Sequence, residues 1–289
     1  MIPPSAGRVA LVLAVAILAV STAGTLVKLA PDAPPLSIAF WRVAVAAMIL
    51  LPGARPVAKR DVWLTALGGL FLALHFWAWF LSLRETTVMR STLLVCLTPV
   101  WTALFEWAFF RSKPTPRFGA GIAIALGGVG PMVAGGGASG GGGSVTGDAL
   151  AALGGLLGAA YFTIGRAVRA RVPIAPYGAL SCAATAAWLG VLTLASGDPF
   201  LGFADDTWLA ILALALGPQL LGHLGFNYAV GRLPAAIVAA VILLEPIGAT
   251  AVAAGVLGER PGWMDGLGGV LALVGVAVAV MPRRTSVSS

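Results

Sequence analysis

The sequence predicts an all-α integral membrane protein of ten transmembrane helices, arranged as two five-helix repeats of inverted topology around a central cavity. Three observations support this fold class. Apolar residues make up 59% of the 289 positions and charged residues only 10%, which would leave a soluble domain of this size with a large exposed apolar surface. Apolar segments of helical length recur along the whole chain. One pattern of polar residues and prolines occurs twice.

The apolar segments define the helices in order. A helix needs about 20 apolar residues to cross a bilayer, and irregular backbone cannot face lipid. Ten segments approach that length, although the second, fifth and sixth are short or interrupted by glycine. The predicted helices span residues 9–29, 36–51, 62–83, 88–110, 117–134, 148–165, 174–195, 207–230, 233–257 and 263–281.

A repeated pattern joins the two halves of the chain. In each half a histidine is followed nine residues later by an arginine, then by a residue-proline pair and by a second proline fifteen residues further on. The two copies are His75, Arg84, Thr98-Pro99 and Pro114, and His223, Arg232, Glu245-Pro246 and Pro261. They lie 148 residues apart before a one-residue slip and 147 after it. An internal repeat in a membrane chain is typical of transporters.

A glycine-rich segment divides the chain. Residues 135–144 read GGGASGGGGS, which is typical of flexible coil. It leaves five helices on each side, and an odd number of helices per half makes the second half run upside down relative to the first. The predicted domains are a first five-helix repeat at 1–134, a periplasmic linker at 135–147, and a second repeat at 148–289 with a short cytoplasmic tail.

The distribution of charge predicts the orientation. The net charge is +7, but the distribution of the basic residues does not indicate a nucleic-acid-binding surface. With the N-terminus inside, most of the 18 Lys and Arg residues lie on the cytoplasmic side and most of the 11 Asp and Glu residues lie outside. This positive-inside bias predicts a multi-pass protein of a bacterial-type inner (plasma) membrane with both termini cytoplasmic. The first apolar segment is interpreted as an uncleaved helix rather than a signal peptide.

Polar and aromatic side chains inside the first-half helices are candidate binding residues, because such groups are costly in lipid. His75 and Trp79 share one face of the third helix. Thr98 and Trp101 flank Pro99, which breaks the fourth helix and frees backbone carbonyls. The alternatives are that His75 is a buried histidine bonded to a neighbouring carbonyl, and that Trp101 only packs against other helices or lipid.

The second half offers a matching set. Tyr161 lies in the middle of the sixth helix, and His223 and Asn227 share a face of the eighth. Glu245, beside the break in the ninth helix, is expected to pair with a substrate amino group, to carry a proton, or to hold Arg42 in an ion pair. Arg42 itself either attracts a substrate carboxylate or has a structural partner. The predicted substrate-binding residues are His75, Trp79, Thr98, Trp101, Tyr161, His223, Asn227 and Glu245.

These motifs resemble those of the drug/metabolite transporter superfamily, and specifically its EamA-type carriers. The second half has LLEP at Leu243–Pro246 and GERP at Gly258–Pro261. The first half has CLTP at Cys96–Pro99, but RSKP at Arg111–Pro114 departs from the pattern, since Ser112 replaces the glutamate. The resemblance covers residues 8–282. Among members, the density of tryptophan is similar to that of bacterial amino-acid exporters of the YddG type.

The resemblance implies a secondary transporter that exports small metabolites by alternating access, with amino acids, including aromatic or apolar ones, as expected substrates. Carriers of drug-like amphiphiles, or of nucleotide sugars and sugar phosphates, are the alternatives within the superfamily. A channel and an intramembrane enzyme are alternatives from other classes. An enzyme is disfavoured because the sequence has neither an HExxH motif nor a nucleophile-base pair.

The expected partners are a small-molecule substrate and the lipid bilayer, and no nucleic acid. No cofactor or metal site is predicted, and no GxxxxGK[ST] phosphate loop indicates a primary energy source. Proton coupling through Glu245 or a histidine and simple facilitated diffusion fit the sequence equally well. The oligomeric state stays open.

Overall fold

A computed structural model describes residues 6–110, 115–134, 143–230 and 241–280. Throughout these ranges the regular elements are helices. The first half contains α1 (Ala6–Ser21), α2 (Ala23–Lys28), α3 (Pro35–Leu50), α4 (Lys59–Glu85), α5 (Val88–Val95), α6 (Thr98–Phe110) and α7 (Pro116–Ala134). The second half contains α8 (Val145–Arg169), α9 (Ile174–Ser196), α10 (Asp205–Leu214), α11 (Leu224–Val230), α12 (Glu245–Leu257) and α13 (Trp263–Val280). A π-helical segment, Ala215–His223, joins α10 to α11.

The apolar character of these helices confirms a helical membrane protein. Six helical segments of the described residues are long and apolar enough to cross a bilayer, and two apolar helices are shorter. The six are Gly7–Lys28, Pro35–Gly53, Lys59–Glu85, Val145–Arg169, Ile174–Ser196 and Asp205–Phe226. The predicted linker and the start of the predicted ninth helix fall mostly on residues 135–142 and 231–240, outside the described ranges. The count of ten crossings and the inverted arrangement of the repeats stay predictions.

Local sequence sets several helix ends. The Ser144 hydroxyl accepts a hydrogen bond of 3.0 Å from the N–H of Gly147, and such a cap satisfies a backbone donor that the first turn leaves unpaired. This cap explains why α8 begins at Val145, before the predicted residue 148. At the other kind of end, Gly197 (φ 74°) and Gly258 (φ 69°) terminate α9 and α12 in the left-handed conformation that favours glycine.

The predicted fourth and ninth helices are broken at equivalent positions. In the turn between α5 and α6, the N–H of Leu97 donates to the carbonyl of Leu94 (3.2 Å). In the turn before α12, the N–H of Leu244 donates to the carbonyl of Val241 (3.0 Å). Each turn lies directly before a residue-proline pair, where the missing proline N–H prevents a regular helix. Both copies of the repeated pattern therefore produce the same local break.

The helices pack in corresponding pairs. In the first half, α4 packs on α8 and α9, and α5 and α6 pack on α8. In the second half, the π-helical segment packs on α1 and α3, and α12 packs on α1. Two further contacts, α3 with α9 and α7 with α13, join the halves directly. Each contact has a counterpart in the other half. The packing of α4 on α8 and α9 corresponds to that of the π-helical segment on α1 and α3, and the packing of α5 and α6 on α8 corresponds to that of α12 on α1. The α3–α9 and α7–α13 contacts each join a helix to its own counterpart.

Small residues on α8 allow close packing within the chain. A methyl group at Gly158 would lie 3.0 Å from Nδ1 of His75, and one at Gly154 would lie 3.5 Å from the carbonyl oxygen of the same residue. A methyl group at Gly165 would lie 2.5 Å from the hydroxyl of Tyr177. The face that these glycines form therefore packs on α4 and α9.

Replacing Gly158 with alanine is expected to destabilise the protein by about 1–3 kcal/mol, because overpacking at a close helix contact forces neighbours to move. The added methyl group also displaces the His75 ring. Gly266→Ala in α13 is the matched control, because nothing lies within 4 Å of the added methyl group. Thermal unfolding in detergent micelles measures both variants. Equal midpoints for the two variants would contradict the packing assigned to Gly158.

Candidate functional site

Four ionisable side chains from both halves of the chain meet at the centre of the bundle. Arg42 comes from α3, His75 from α4, His223 from the end of the π-helical segment, and Glu245 from the start of α12. Arg42 interacts electrostatically with each of the other three. The Phe76 ring lies among them, 4.5 Å from the Arg42 guanidinium carbon and 6.4 Å from the His223 ring centre. The fold thus brings the two repeat-related histidines into one cluster.

His75 is oriented by the helix packed against it. Its Nδ1 lies 2.7 Å from the carbonyl oxygen of Gly154 on α8. His75 therefore makes the hydrogen bond to a neighbouring carbonyl that was the alternative to a substrate-binding role. Because a carbonyl only accepts, Nδ1 carries the proton in this bond, and Nε2 of the neutral ring is an acceptor. The Trp79 ring centre lies 5.9 Å from that of His75. The buried indole N–H of Trp79 has no acceptor among the described residues.

Thr98 and Trp101 lie just after the break between α5 and α6. The Thr98 hydroxyl lies 2.7 Å from the carbonyl oxygen of Val95 and 3.2 Å from that of Gly155 on α8. Thr98 therefore ties the broken helix to α8. Trp101 is half-buried, and in the described part of the chain nothing accepts from its buried indole N–H.

Glu245 occupies the equivalent position after the second break. Its carboxylate is half-buried and lies 3.9 Å from the sulfur of Cys96, in the turn of the first break. The described residues place no basic group within 4.0 Å of it. The ion pair with Arg42, one of the three expectations for this residue, is therefore not formed, although the two charges interact.

A cavity of about 30 Å³ lies beside the cluster. Its polar lining residues are Tyr161, Tyr177, Ser181, Cys182, Gln219 and His223, and its apolar ones include Leu50, Leu72 and Leu220. That volume is about the share of one water molecule in the liquid, whereas small-molecule pockets measure about 300–1,000 Å³. In this conformation the cavity is therefore too small for a small-molecule substrate.

The remaining two predicted residues differ in outcome. Tyr161 lines the cavity, and its hydroxyl lies 3.4 Å from that of Ser181 on α9. Asn227 belongs to α11, but its side chain lies outside the part of the structure that is described.

Several residues of the site were not among the predicted set. Gln219 lines the cavity and accepts a 2.9 Å hydrogen bond from Nε of Arg42. Gln219 could have been found from the sequence, because it is an amide inside an apolar helix, four residues before His223 and next to Pro218. The structure adds that this segment is π-helical, a form that is common at functional sites. Tyr177 begins α9 without any repeat partner, so sequence offered no signal for it.

A buried ion network closes the end of the bundle at which α4 ends and α5, α8 and α13 begin. Arg90, only 1% exposed, donates to both carboxylate oxygens of Asp148 and, over 2.8 Å, to Asp265. The Thr86 hydroxyl also lies 3.3 Å from Asp148. These groups bind one another and join α5 to the second-half helices α8 and α13.

Glu259 adds a second link at the same end. It accepts from the ammonium group of Lys28 (2.7 Å) and from the backbone N–H of Val88 at the start of α5 (2.9 Å). Glu259 is the glutamate of the second-half GERP motif, and the corresponding first-half residue, Ser112, lies outside the described ranges. Glu259 therefore joins α2 to α5 through its negative charge. A serine has no charge and could not form the ion pair with lysine.

Loop charges are paired at both ends. Asp32, between α2 and α3, accepts from the Thr207 hydroxyl and from the N–H of Ala204, and these hydrogen bonds hold the pKa of Asp32 below its usual value. At the opposite end Arg171 donates to Asp61, and this hydrogen bond raises the pKa of Arg171. Among the described residues no group of three His, Cys, Asp or Glu side chains is placed to hold a metal ion.

Comparisons with known proteins agree with this architecture. The EamA-like transporter family matches the chain twice, at residues 7–133 and 145–281. An uncharacterized transporter from Archaeoglobus fulgidus is 26% identical over 258 residues, which are 84% of this chain and 86% of that protein. A crystal structure with 24% sequence identity superposes with a TM-score of 0.66 over 95% of this chain and 97% of the other, which bears on the fold alone. The chain belongs to the EamA-like transporter family: it is a multi-pass membrane transporter and not an enzyme.

Proposed function

We propose that the protein is a secondary transporter that exports small metabolites by alternating access, with amino acids, including aromatic and apolar ones, as substrates. The observation that carries this proposal is the central cluster of Arg42, His75, His223 and Glu245, to which both family-matched ranges contribute two residues each. Aromatic rings around the cluster offer surface for an apolar side chain. The polar groups offer hydrogen bonds to the rest of the molecule.

The organisation of the chain supports alternating access. Two family matches, two equivalent helix breaks and the corresponding helix contacts all favour two five-helix repeats, 1–134 and 148–289, joined by the linker 135–147. An odd number of helices per repeat gives the inverted pair that is common among transporters, with the site at the interface. The charged residues predicted to be outside gather at one end of the bundle, which favours cytoplasmic termini in a bacterial inner membrane.

The small size of the cavity supports a mechanism in which the helices around it move. In this conformation Tyr161, His223 and Gln219 enclose space for about one water molecule. Movement of the repeats relative to each other would open the cluster first to one side and then to the other. Nε2 of His75 and the indole N–H groups of Trp79 and Trp101 are then available to bind polar groups, and Asn227 would contribute from α11.

Counterflow in proteoliposomes tests the proposal. Purified protein is reconstituted into liposomes preloaded with labelled phenylalanine or leucine, and efflux is followed against unlabelled amino acids outside, with and without a pH gradient. Saturable efflux that external amino acid accelerates supports a carrier, and a response to the gradient would indicate proton coupling. Non-saturating flux would favour a channel. Flux equal to that of empty liposomes would remove amino acids and move drug-like amphiphiles to the front.

A further inference from the structure

Arg42 is a buried cation for which the described residues provide no ion-pair partner. Its side chain is 1% exposed, and the described residues place no carboxylate within 4.0 Å of it. Its one hydrogen bond to a side chain among them runs from Nε to Oε1 of Gln219 (2.9 Å). A buried charge costs several kcal/mol unless an opposite charge and hydrogen bonds compensate it. A neutral amide compensates only part of that cost.

The guanidinium group is held in place while part of it is unused. Its central carbon lies 4.5 Å from the Phe76 ring centre and 5.7 Å from that of Phe80, so two aromatic rings fix its position through cation–π contact. Nη1 is buried and has no hydrogen-bond partner in the part of the chain that the structure describes. Since guanidinium presents its N–H groups as a planar fork that fits a carboxylate, the unused nitrogen matches an anionic group supplied by a ligand.

Glu245 carries the opposite charge on the other half of the chain. It acts electrostatically on Arg42 but is not within ion-pair distance, and its nearest polar contact is the Cys96 sulfur at 3.9 Å. Arg42 is held by Gln219 and the phenylalanines, and Glu245 is held at the start of α12. Each charge is therefore held by its own surroundings, and the two interact without forming an ion pair.

A molecule that carries both charges would neutralise both groups at once. We propose that Arg42 binds the carboxylate of the transported molecule and Glu245 binds its ammonium group, so that the site selects zwitterions over simple acids and simple amines. This inference rests on the proposed transport function and specifies its substrate chemistry. A ligand with only one charge leaves the other protein group buried and uncompensated, and a buried polar group without its partner is the basis of strong discrimination.

A set of matched ligands tests the selection without any mutation. Binding of phenylalanine, phenethylamine and 3-phenylpropionate to the purified protein is measured by isothermal titration calorimetry in detergent. These three probes share the ring and differ in charge. We expect phenylalanine to bind at least tenfold more tightly than either of the others. Equal affinities for all three, in protein that transports phenylalanine, would overturn the zwitterion inference and leave the transport function standing.

Two variants assign the charges. Arg42→Gln is expected to lower the affinity for phenylalanine at least tenfold without lowering the affinity for phenethylamine. Glu245→Gln is expected to lower the affinity for phenylalanine without lowering the affinity for 3-phenylpropionate. Retained binding of the insensitive probe shows that each variant is folded. A variant that weakens all three probes equally would overturn the assignment.

A third variant keeps the charge at position 42 and so tests the role of Arg42 even if Arg42→Gln does not fold. Arg42→Lys keeps the charge but loses the planar fork, and we expect an intermediate affinity for phenylalanine. If no probe binds to wild-type protein and no amino acid is transported, both the zwitterion inference and the amino-acid part of the proposed function are overturned together. The two failures are thus distinguishable, because only the second abolishes flux.

Discussion

Replacing Arg90 with methionine is expected to lower the free energy of unfolding by about 3–5 kcal/mol, because removal of one partner leaves uncompensated charge in a buried ion network. Asp148 and Asp265 are 3% and 1% exposed, so neither carboxylate has water to replace the lost guanidinium. The effect is measured by SDS-induced unfolding in mixed micelles. In the same variant we expect the end of the bundle where α5, α8 and α13 begin to open more often.

The triple variant Arg90→Met/Asp148→Asn/Asp265→Asn separates charge from packing. It removes all three charges, and buried ion networks replaced by neutral groups often regain their stability. We expect it to recover at least half of the loss caused by Arg90→Met. Arg60→Met, at an exposed position, is the control and should change stability by less than about 0.5 kcal/mol. A triple variant less stable than Arg90→Met would contradict the assigned role of the charges.

Phe76→Ala is expected to destabilise the protein by about 3–5 kcal/mol, the usual cost of removing a large buried aromatic ring. Phe76 has no exposed surface, and its ring contacts both Arg42 and His223. The loss arises from packing contacts that have no replacement, so it applies in a membrane protein as well as in a soluble one. SDS-induced unfolding measures the change.

Phe162→Ala is the matched control for Phe76→Ala. Phe162 lies on α8 with 49% of its surface exposed, so its truncation should cost less than about 1 kcal/mol. Phe76→Leu, which keeps most of the volume, should fall between the two alanine variants. Equal losses for Phe76→Ala and Phe162→Ala would show that the Phe76 ring does not join the two halves as the structure indicates.

The helix breaks were predictable and the ion network was not. Proline lacks an N–H, so Pro99 and Pro246 each remove a backbone hydrogen bond from a long apolar helix, whatever the surrounding fold. Arg90, in contrast, lies three residues into the predicted helix 88–110, where an isolated charge indicates no partner. Its burial results from the packing of α5 against α8 and α13, and nothing in the local sequence around residue 90 specifies that contact.

The central cluster shows the same division. His75 and His223 were predictable because a polar residue in an apolar helix is costly and therefore marks a site, and their shared spacing to the prolines related them. For Arg42 the sequence is compatible with two partners, a substrate carboxylate and a structural partner within the protein. The structure gives Arg42 an amide and two phenylalanine rings as neighbours, and it holds Glu245 beyond ion-pair distance.

Composition and segment length were enough to predict a helical, membrane-embedded chain, because both depend only on the solvent that each residue prefers. Short local motifs at a helix break and at a helix end, LLEP at Leu243–Pro246 and GERP at Gly258–Pro261, also identified the family. The side chains that share the centre, the charges that neutralise each other around Arg90 and the small size of the cavity follow from tertiary packing. Those properties arise from contacts between residues far apart in the chain, and such contacts leave no periodic or local pattern to detect.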